Sequence, residues 1–304
     1  MENRENPIFG RKVFFLNPTL SIQNVFVRKL QDLEYEVYTI EHYYDAKPVL
    51  SEYEDSICFI NIDDQLTYKQ WFNFIKSFEK DSSLETVFLG VISEKIRPHE
   101  KEEFLLKTKL AGGFISTHKG LEVAYETILK ILDLNGAKGR RKYVRLDCST
   151  LDNVEFSCAL NNRLYFPKLE DISYVGFSCR IENNLAVFFQ KGIKCTSVNI
   201  KMGIRRIFCS ADIFALKPET NSSIVVFLFD ENTSVAERDK IRKFVAQTLQ
   251  EKMNEFISNS IRDTMNYSIE IKDESESGQN GENSGTNSYD AGNLEDIADS
   301  AESK

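Results

Sequence analysis

Short apolar runs alternate with amphipathic stretches between residues 11 and 134. The predicted strands are residues 13–16, 35–40, 57–62, 87–92 and 113–115. The predicted helices are residues 22–33, 68–78, 100–110 and 121–134. The last of these places Leu121, Tyr125, Ile128 and Leu132 on one apolar helical face. Strands that alternate with helices predict a doubly wound parallel α/β sheet.

The pattern changes after residue 140 to many short β-branched and aromatic runs, separated by turn sequences such as Asn161-Asn162. The predicted strands are residues 142–148, 154–159, 164–172, 177–181, 197–201, 205–214 and 224–229. This spacing is typical of a small antiparallel β-barrel. Ser234 and Glu237 then have the spacing of a helix capping box, and an apolar stripe from Ile241 to Ile257 predicts a long amphipathic helix. The stripe fits packing against the barrel or a dimer contact.

Composition limits the classes of protein. The chain has 304 residues, enough for about two domains and a tail. It has no apolar run of transmembrane length and no signal-peptide pattern at its start, so we expect a cytoplasmic protein without membrane insertion. Residues 273–304 carry nine acidic side chains and one lysine, which predicts a disordered tail and argues against nucleic-acid binding.

Neither cysteines nor histidines indicate a metal site or a catalytic centre. The six cysteines contain no C-x-x-C pair and are expected to be buried and reduced. The three histidines, His42, His99 and His118, have no metal-ligand spacing. No nucleophile, base and oxyanion arrangement is visible, so we expect neither an enzyme nor a cofactor.

Two short motifs carry the candidate chemistry. Arg140, Arg141 and Arg145 follow a glycine-containing segment, and each guanidinium offers a planar fork of donors for a phosphate or the O6/N7 edge of guanine. Asp171 and Ser173 follow 26 and 28 residues after Arg145 and would share one face of a strand. Gly176 would allow a sharp turn or a close backbone approach. The region 138–230 has 14 basic and 9 acidic residues, although the whole chain has a net charge of −9.

These motifs resemble those of the PilZ domain family, small β-barrels that bind the bacterial second messenger cyclic di-GMP. The family's R-x-x-x-R pattern falls on Arg141 and Arg145, and its D/N-x-S-x-x-G pattern falls on Asp171, Ser173 and Gly176. Arg140 matches an additional arginine that many members carry. The resemblance covers about residues 138–230 and implies ligand binding at these six positions, without catalysis. It also implies a bacterial signalling role, with motility regulation among the processes that such domains serve.

The N-terminal region resembles a response-regulator receiver in topology alone. A receiver needs an acid pair after its first strand, an acceptor aspartate after its third and a lysine after its fifth. Here the first strand ends at Asn17 and the third places Asn61 at the acceptor position, with Asp63 or Asp64 as a shifted alternative. A site so poor in acids offers too few oxygen ligands for magnesium. The sequence therefore predicts a degenerate receiver or another flavodoxin-like domain.

The predicted fold class is α/β plus β. Its parts are a receiver-like α/β domain (1–134), a linker (135–140), a PilZ-like β-barrel (141–232), a C-terminal amphipathic helix (233–262) and a disordered acidic tail (273–304). The resemblance implies a cyclic di-GMP receptor that passes the signal, through ligand-dependent domain arrangement, to an unidentified protein partner of the receiver-like domain. A nucleotide-independent scaffold and a phospho-regulated response regulator are the alternatives. Monomer and homodimer both stay open.

Overall fold

The computed structural model describes residues 10–263 and the side chains of residues 10–260. The predicted disordered tail at 273–304 lies outside the described residues. None of the described helices combines the length and apolarity needed to cross a membrane.

The first sheet is parallel and has five strands. They are β1 (Val13–Leu16), β2 (Val37–Ile40), β3 (Ile57–Asn61), β4 (Phe88–Ser93) and β5 (Phe114–Ser116). Their order in the sheet is β2-β1-β3-β4-β5, which is the flavodoxin-like order of doubly wound folds. The predicted parallel α/β sheet is therefore confirmed.

Helices cover both faces of this sheet. They are α1 (Leu20–Ile22), a π-helical turn (Gln23–Val27), α2 (Arg28–Asp32), α3 (Tyr43–Glu52), α4 (Tyr68–Phe78), α5 (Pro98–Lys107) and α6 (Leu121–Leu134). Phe14 and Leu16 of β1 point into one core, and Val13 and Phe15 point into the other. This alternation of two buried faces explains why β1 is apolar throughout.

Helix α3 is a difference from the sequence prediction, which had no helix there. Pro48 lies inside it and cannot donate the usual backbone hydrogen bond, so the local pattern disfavours a helix. Ala46, Val49 and Leu50 are fully buried in the core that α3 shares with α4. Tertiary burial thus outweighs the local cost of the proline.

The second sheet is antiparallel and has eight strands. They are β6 (Arg145–Asp147), β7 (Val154–Leu160), β8 (Arg163–Tyr165), β9 (Lys168–Ser173), β10 (Gly176–Glu182), β11 (Lys194–Met202), β12 (Arg205–Pro218) and β13 (Ser222–Phe229). Their order is β6-β9-β10-β13-β12-β11-β7-β8. The single strand predicted at 164–172 is two strands, because Pro167 between them has no N–H for a ladder.

One core lies inside the second sheet. It contains Leu146 from β6, Phe156 from β7 and Phe177 from β10, together with residues of the other long strands. Leu146 of β6, at one end of the strand order, is buried in this core, and Tyr165 of β8, at the other end, packs against it, so the sheet curls on itself. Among the described residues the strand order still ends at β6 and β8, so hydrogen-bonded closure into a barrel stays a prediction.

Helix α7 (Val235–Asp263) packs against both sheets. Ile241, Phe244 and Val245 belong to the core of the second sheet, whereas Met253 belongs to a core of the first. Leu249 lies between them and contacts both cores. The apolar stripe predicted from the sequence is therefore buried within the chain on two different partners.

A side-chain amide fixes the position of α7 on the first sheet. Gln250 Oε1 accepts a hydrogen bond of 2.9 Å from the Thr39 backbone N–H, and Gln250 Nε2 donates one of 3.0 Å to the Thr39 carbonyl. Thr39 lies on β2, the outermost strand of that sheet. The pair of bonds sets the register of the helix along the strand.

We expect Met253→Ala to lower the free energy of unfolding by about 2–5 kcal/mol, because Met253 is 3% exposed and its removal leaves a cavity under α7. Glu251→Ala, at an exposed position on the same helix, should change it by less than about 0.5 kcal/mol. Chemical denaturation of the two variants measures both values. Equal stability of the two variants would show that α7 does not depend on this contact.

Candidate ligand-binding site

The two sequence motifs lie on neighbouring strands. Strand β6 pairs with β9 so that Arg145 is opposite Ser173 and Asp147 is opposite Asp171. Leu146 and Ile172, the third pair of this ladder, face the core. The flanking side chains lie on the opposite face of the sheet, where Arg145 and Asp147 are exposed, Asp171 is half-buried and Ser173 is covered.

An ion pair joins the two motifs. Arg145 Nη1 lies 3.4 Å from Asp171 Oδ1, diagonally across the ladder. The other carboxylate oxygen, Asp171 Oδ2, accepts a hydrogen bond of 2.7 Å from the Ser178 hydroxyl. Both charged side chains are partly exposed, at 42% for Arg145 and 32% for Asp171. Such an exposed pair is worth about 0–1 kcal/mol, so an incoming anion can take the guanidinium at little cost.

Ser173 and Gly176 have contacts within the fold. Ser173 is 2% exposed, and its hydroxyl donates a hydrogen bond of 3.0 Å to the Gly176 carbonyl. A Cβ on Gly176 would lie 2.2 Å from the Phe227 carbonyl oxygen on the neighbouring strand. A glycine is therefore needed at position 176 because β10 approaches β13 closely there, and not because the backbone makes a left-handed turn. These two residues shape the hairpin that presents Asp171.

A cleft of about 360 Å³ opens beside the ion pair. Its walls come from the start of β1, from residues 137–147 and from α7. Six of the side chains that line it are cationic: Arg11, Lys12, Lys138, Arg141, Arg145 and Lys252. Three are acidic: Glu34, Glu36 and Asp147. The volume lies within the range of small-molecule sites, about 300–1,000 Å³, and the excess of positive charge suits an anion.

The three candidate arginines differ in position. Arg141 and Arg145 line the cleft, whereas Arg140 is exposed and does not line it. The preceding segment is packed against the first sheet, since Ala137 is 4% exposed in one of its cores. The Ala137 carbonyl oxygen approaches Gly10 so closely that a Cβ on Gly10 would lie 2.2 Å from it. The predicted linker thus holds the arginines close to the cleft and is not a free tether.

Aromatic rings within both motifs connect the site to α7. Tyr143 and Tyr174 stack with ring centroids 5.9 Å apart, and the Arg242 guanidinium lies 4.1 Å from the Tyr174 ring centroid. Arg242 Nε donates a hydrogen bond of 2.8 Å to Glu34 Oε1, and Glu34 Oε2 accepts one of 3.1 Å from the Val144 N–H. Glu34 therefore ties the arginine segment and α7 to the first sheet.

Most of this contact network could not be predicted from the sequence. The sequence offers one signal for it, which is an aromatic residue inside each motif, Tyr143 in the first and Tyr174 in the second. Glu34 and Arg242 are 208 residues apart, and no local pattern connects them. Lys252 was also missed, because its place in the cleft depends on how α7 packs.

Burial and hydrogen bonds shift the pKa of three groups around the site. Burial, with smaller contributions from Asp171 and Asp147, raises the pKa of the Cys148 thiol to about 12. Hydrogen bonds from the Ser149 hydroxyl and N–H hold the pKa of Asp147 below its usual value. Burial acts to lower the pKa of Arg242, but the hydrogen bond and charge of Glu34 outweigh it and the pKa is raised. At neutral pH the thiol is protonated and the other two groups are charged.

The carboxyl edge of the first sheet differs from a receiver's acidic pocket. Asn17 Nδ2 donates to the Asn61 carbonyl at 3.0 Å, and Asn61 Nδ2 donates to the Asn17 carbonyl at 2.8 Å. Asp63 accepts hydrogen bonds from the Ser93 hydroxyl and from the Glu94 N–H. Within residues 10–263, no group of three or more His, Cys, Asp or Glu is arranged to hold a metal ion. Two asparagines that hydrogen-bond each other's backbone and one hydrogen-bonded aspartate therefore occupy this edge.

Comparison with known proteins gives structural neighbours only. No family model and no curated protein matches the chain. The PilZ domain of YcgR from Escherichia coli with c-di-GMP has 18% identity and a TM-score of 0.34, covering 39% of this chain and 98% of that one. YcgR in complex with c-di-GMP, from the same organism, has 18% identity and a TM-score of 0.34, covering 40% and 51%. MotI/DgrA, the Bacillus subtilis inhibitor of motility, has 15% identity and a TM-score of 0.31, covering 38% and 52%.

The first of these neighbours is described as a PilZ domain, and it and the second are described with c-di-GMP. This chain spans about half the length of YcgR and of MotI/DgrA. MrkH of K. pneumonia, also among the neighbours, is described as a c-di-GMP dependent transcription regulatory factor. TM-scores of 0.31 to 0.34 at 15% to 18% identity are too low for these proteins to decide the function of this chain.

We expect Gly176→Ala to destabilise the β region by about 1–3 kcal/mol, because the new methyl group must displace the Phe227 carbonyl. Gly136→Asn is the control, since its φ of +61° is one that asparagine tolerates and nothing lies within 4 Å. Thermal unfolding should show a lower Tm for Gly176→Ala and little change for the control. An unchanged Tm for Gly176→Ala would mean that β10 can shift away from β13.

Proposed function

We propose that this protein is a receptor for cyclic di-GMP, and not an enzyme. The observation that carries the proposal is the ladder between β6 and β9, which places Arg145 beside Asp171 at a cationic cleft that Arg141 also lines. No other cofactor is needed for this activity. The function is that of a bacterial cytoplasmic signalling protein.

Each group has a defined chemical role in the proposal. Arg141 and Arg145 bind the phosphates or the O6/N7 edge of guanine through paired N–H donors. Asp171 accepts hydrogen bonds from the N–H groups on the opposite edge of a guanine. Arg140, which is exposed beside Arg141, contributes charge at the entrance. Ser173 and Gly176 act indirectly, through the hairpin that holds Asp171.

The exposed pair between Arg145 and Asp171 prepares both side chains for the ligand. Without ligand, each partner satisfies the other at 3.4 Å. A nucleotide replaces that weak contact with a phosphate on the guanidinium and a guanine edge on the carboxylate. The charges are therefore already positioned, and little reorganisation opposes binding.

We expect Arg141→Ala and Arg145→Ala each to weaken cyclic di-GMP binding about tenfold to a hundredfold, since one bidentate arginine contact is worth about 1–3 kcal/mol. Arg163→Ala, an exposed arginine on β8 away from the cleft, should bind as wild type does. Isothermal titration with cyclic di-GMP measures these affinities, with cyclic di-AMP and GMP as ligand controls. Wild-type protein that is folded but does not bind cyclic di-GMP would identify the chain as a nucleotide-independent scaffold.

We also propose that ligand occupancy changes how the two sheets are arranged and that a protein partner of the first sheet reads this change. The cleft is lined by residues from both regions, so the arrangement that contacts the ligand better is stabilised by it. Glu34, which holds both the arginine segment and α7, is the contact through which binding reaches the first sheet.

We expect saturating cyclic di-GMP to change the small-angle scattering profile of the wild-type protein. The Arg141→Ala, Arg145→Ala double variant, measured at the same ligand concentration, should keep the unliganded profile. An identical profile with and without ligand, for protein shown by titration to be saturated, would rule out signalling by domain arrangement.

A further inference from the structure

Lys252 is a cleft cation that the two motifs do not include. It lies on α7, the helix that follows the second sheet in sequence, and it lines the cleft together with Leu249 and Met253. Among the described residues its hydrogen bond goes to a backbone carbonyl, Asp147 O, at 3.2 Å. A lysine ammonium has three donors, so this contact leaves donors for a further acceptor.

Three other cations of the cleft are paired with carboxylates. Lys12 pairs with Glu36, and Arg11 Nη2 lies 3.5 Å from Asp55. Arg145 pairs with Asp171, the contact that the proposed ligand replaces. The Lys138 ammonium lies 4.5 Å from the Tyr35 ring centroid. Lys252 instead donates its hydrogen bond to a neutral carbonyl oxygen, and breaking this bond costs less free energy than breaking an ion pair.

Acids in the cleft restrict where a phosphate can be held. Glu34 is bonded to Arg242 and to the Val144 N–H, and Glu36 is bonded to Lys12 and Tyr38. Asp147 accepts from Ser149 and lies close enough to Lys252 for the lysine to lower its pKa further. A phosphate near Lys252 would therefore gain the ammonium and be opposed by one carboxylate.

We infer that Lys252 is a further ligand contact, which binds a phosphate of the cyclic dinucleotide from α7 while Arg141 and Arg145 bind from the segment that leads into β6. The inference rests on the proposed function and extends its site to a third element of the fold. A ligand with two phosphates matches two separate sets of cations better than a mononucleotide does. It would therefore bridge the arginine segment and the C-terminal helix.

The test is cyclic di-GMP titration of Lys252→Ala against Lys243→Ala. Both lysines lie on α7, but nine residues, or about two and a half turns, place them on opposite sides, and Lys243 is exposed outside the cleft. We expect Lys252→Ala to weaken binding about three- to tenfold, with a smaller loss of affinity on adding salt. Lys243→Ala should match wild type, and Lys252→Arg should restore most of the affinity.

A second variant, which is expected to bind cyclic di-GMP more tightly than wild type, distinguishes a lost contact from a folding defect. Asp147→Asn keeps an oxygen for the Ser149 N–H and removes the opposing charge, so it should bind cyclic di-GMP more tightly than wild type. Lys252→Ala that binds as wild type does, in protein whose Tm is unchanged, would overturn the inference and leave the receptor proposal standing. Wild-type protein that does not bind would overturn both.

Discussion

The apolar stripe of α7 is the constraint on which the arrangement of the chain depends. Ile241 and Phe244 are buried in the core of the second sheet, and Met253 is buried in a core of the first. A helix that packs against both cores sets the distance and angle between the two sheets in the unliganded protein. Burial of each large apolar side chain contributes about 1.5–3 kcal/mol, which is much more than the exposed ion pairs nearby can supply. The cleft exists because this helix holds its two walls apart.

Within that frame, weak polar contacts prepare the site. The pair between Arg145 and Asp171 is exposed and easily exchanged, whereas Glu34 is held by Arg242 and the Val144 N–H in a more enclosed position. The enclosed contact keeps the arginine segment in place, and the exposed one gives way to a ligand. Stability and binding are thus assigned to different side chains, so the ligand need not break the contacts that hold the fold.

Local patterns predicted the regular elements well where periodicity was strong. Helices α4 and α6 begin and end where the apolar spacing placed them. Strand β6 is shorter than predicted, because the Val144 N–H bonds to Glu34 instead of a neighbouring strand. Motif spacing indicated Arg141, Arg145 and Asp171, which the fold brings together. It could not indicate Glu34 or Lys252, whose positions follow from the packing of a helix more than 200 residues from Glu34.

The side-chain amide of Gln250 has a consequence beyond fixing the helix. It occupies both the donor and the acceptor of Thr39, on the outer side of a strand whose other side already pairs with β1. Exposed strand edges are templates for pairing with other chains, and proteins that cover them avoid assembling into extended sheets. Helix α7 therefore covers this edge, and a chain that lost the helix would expose the edge of an apolar strand to other chains in solution.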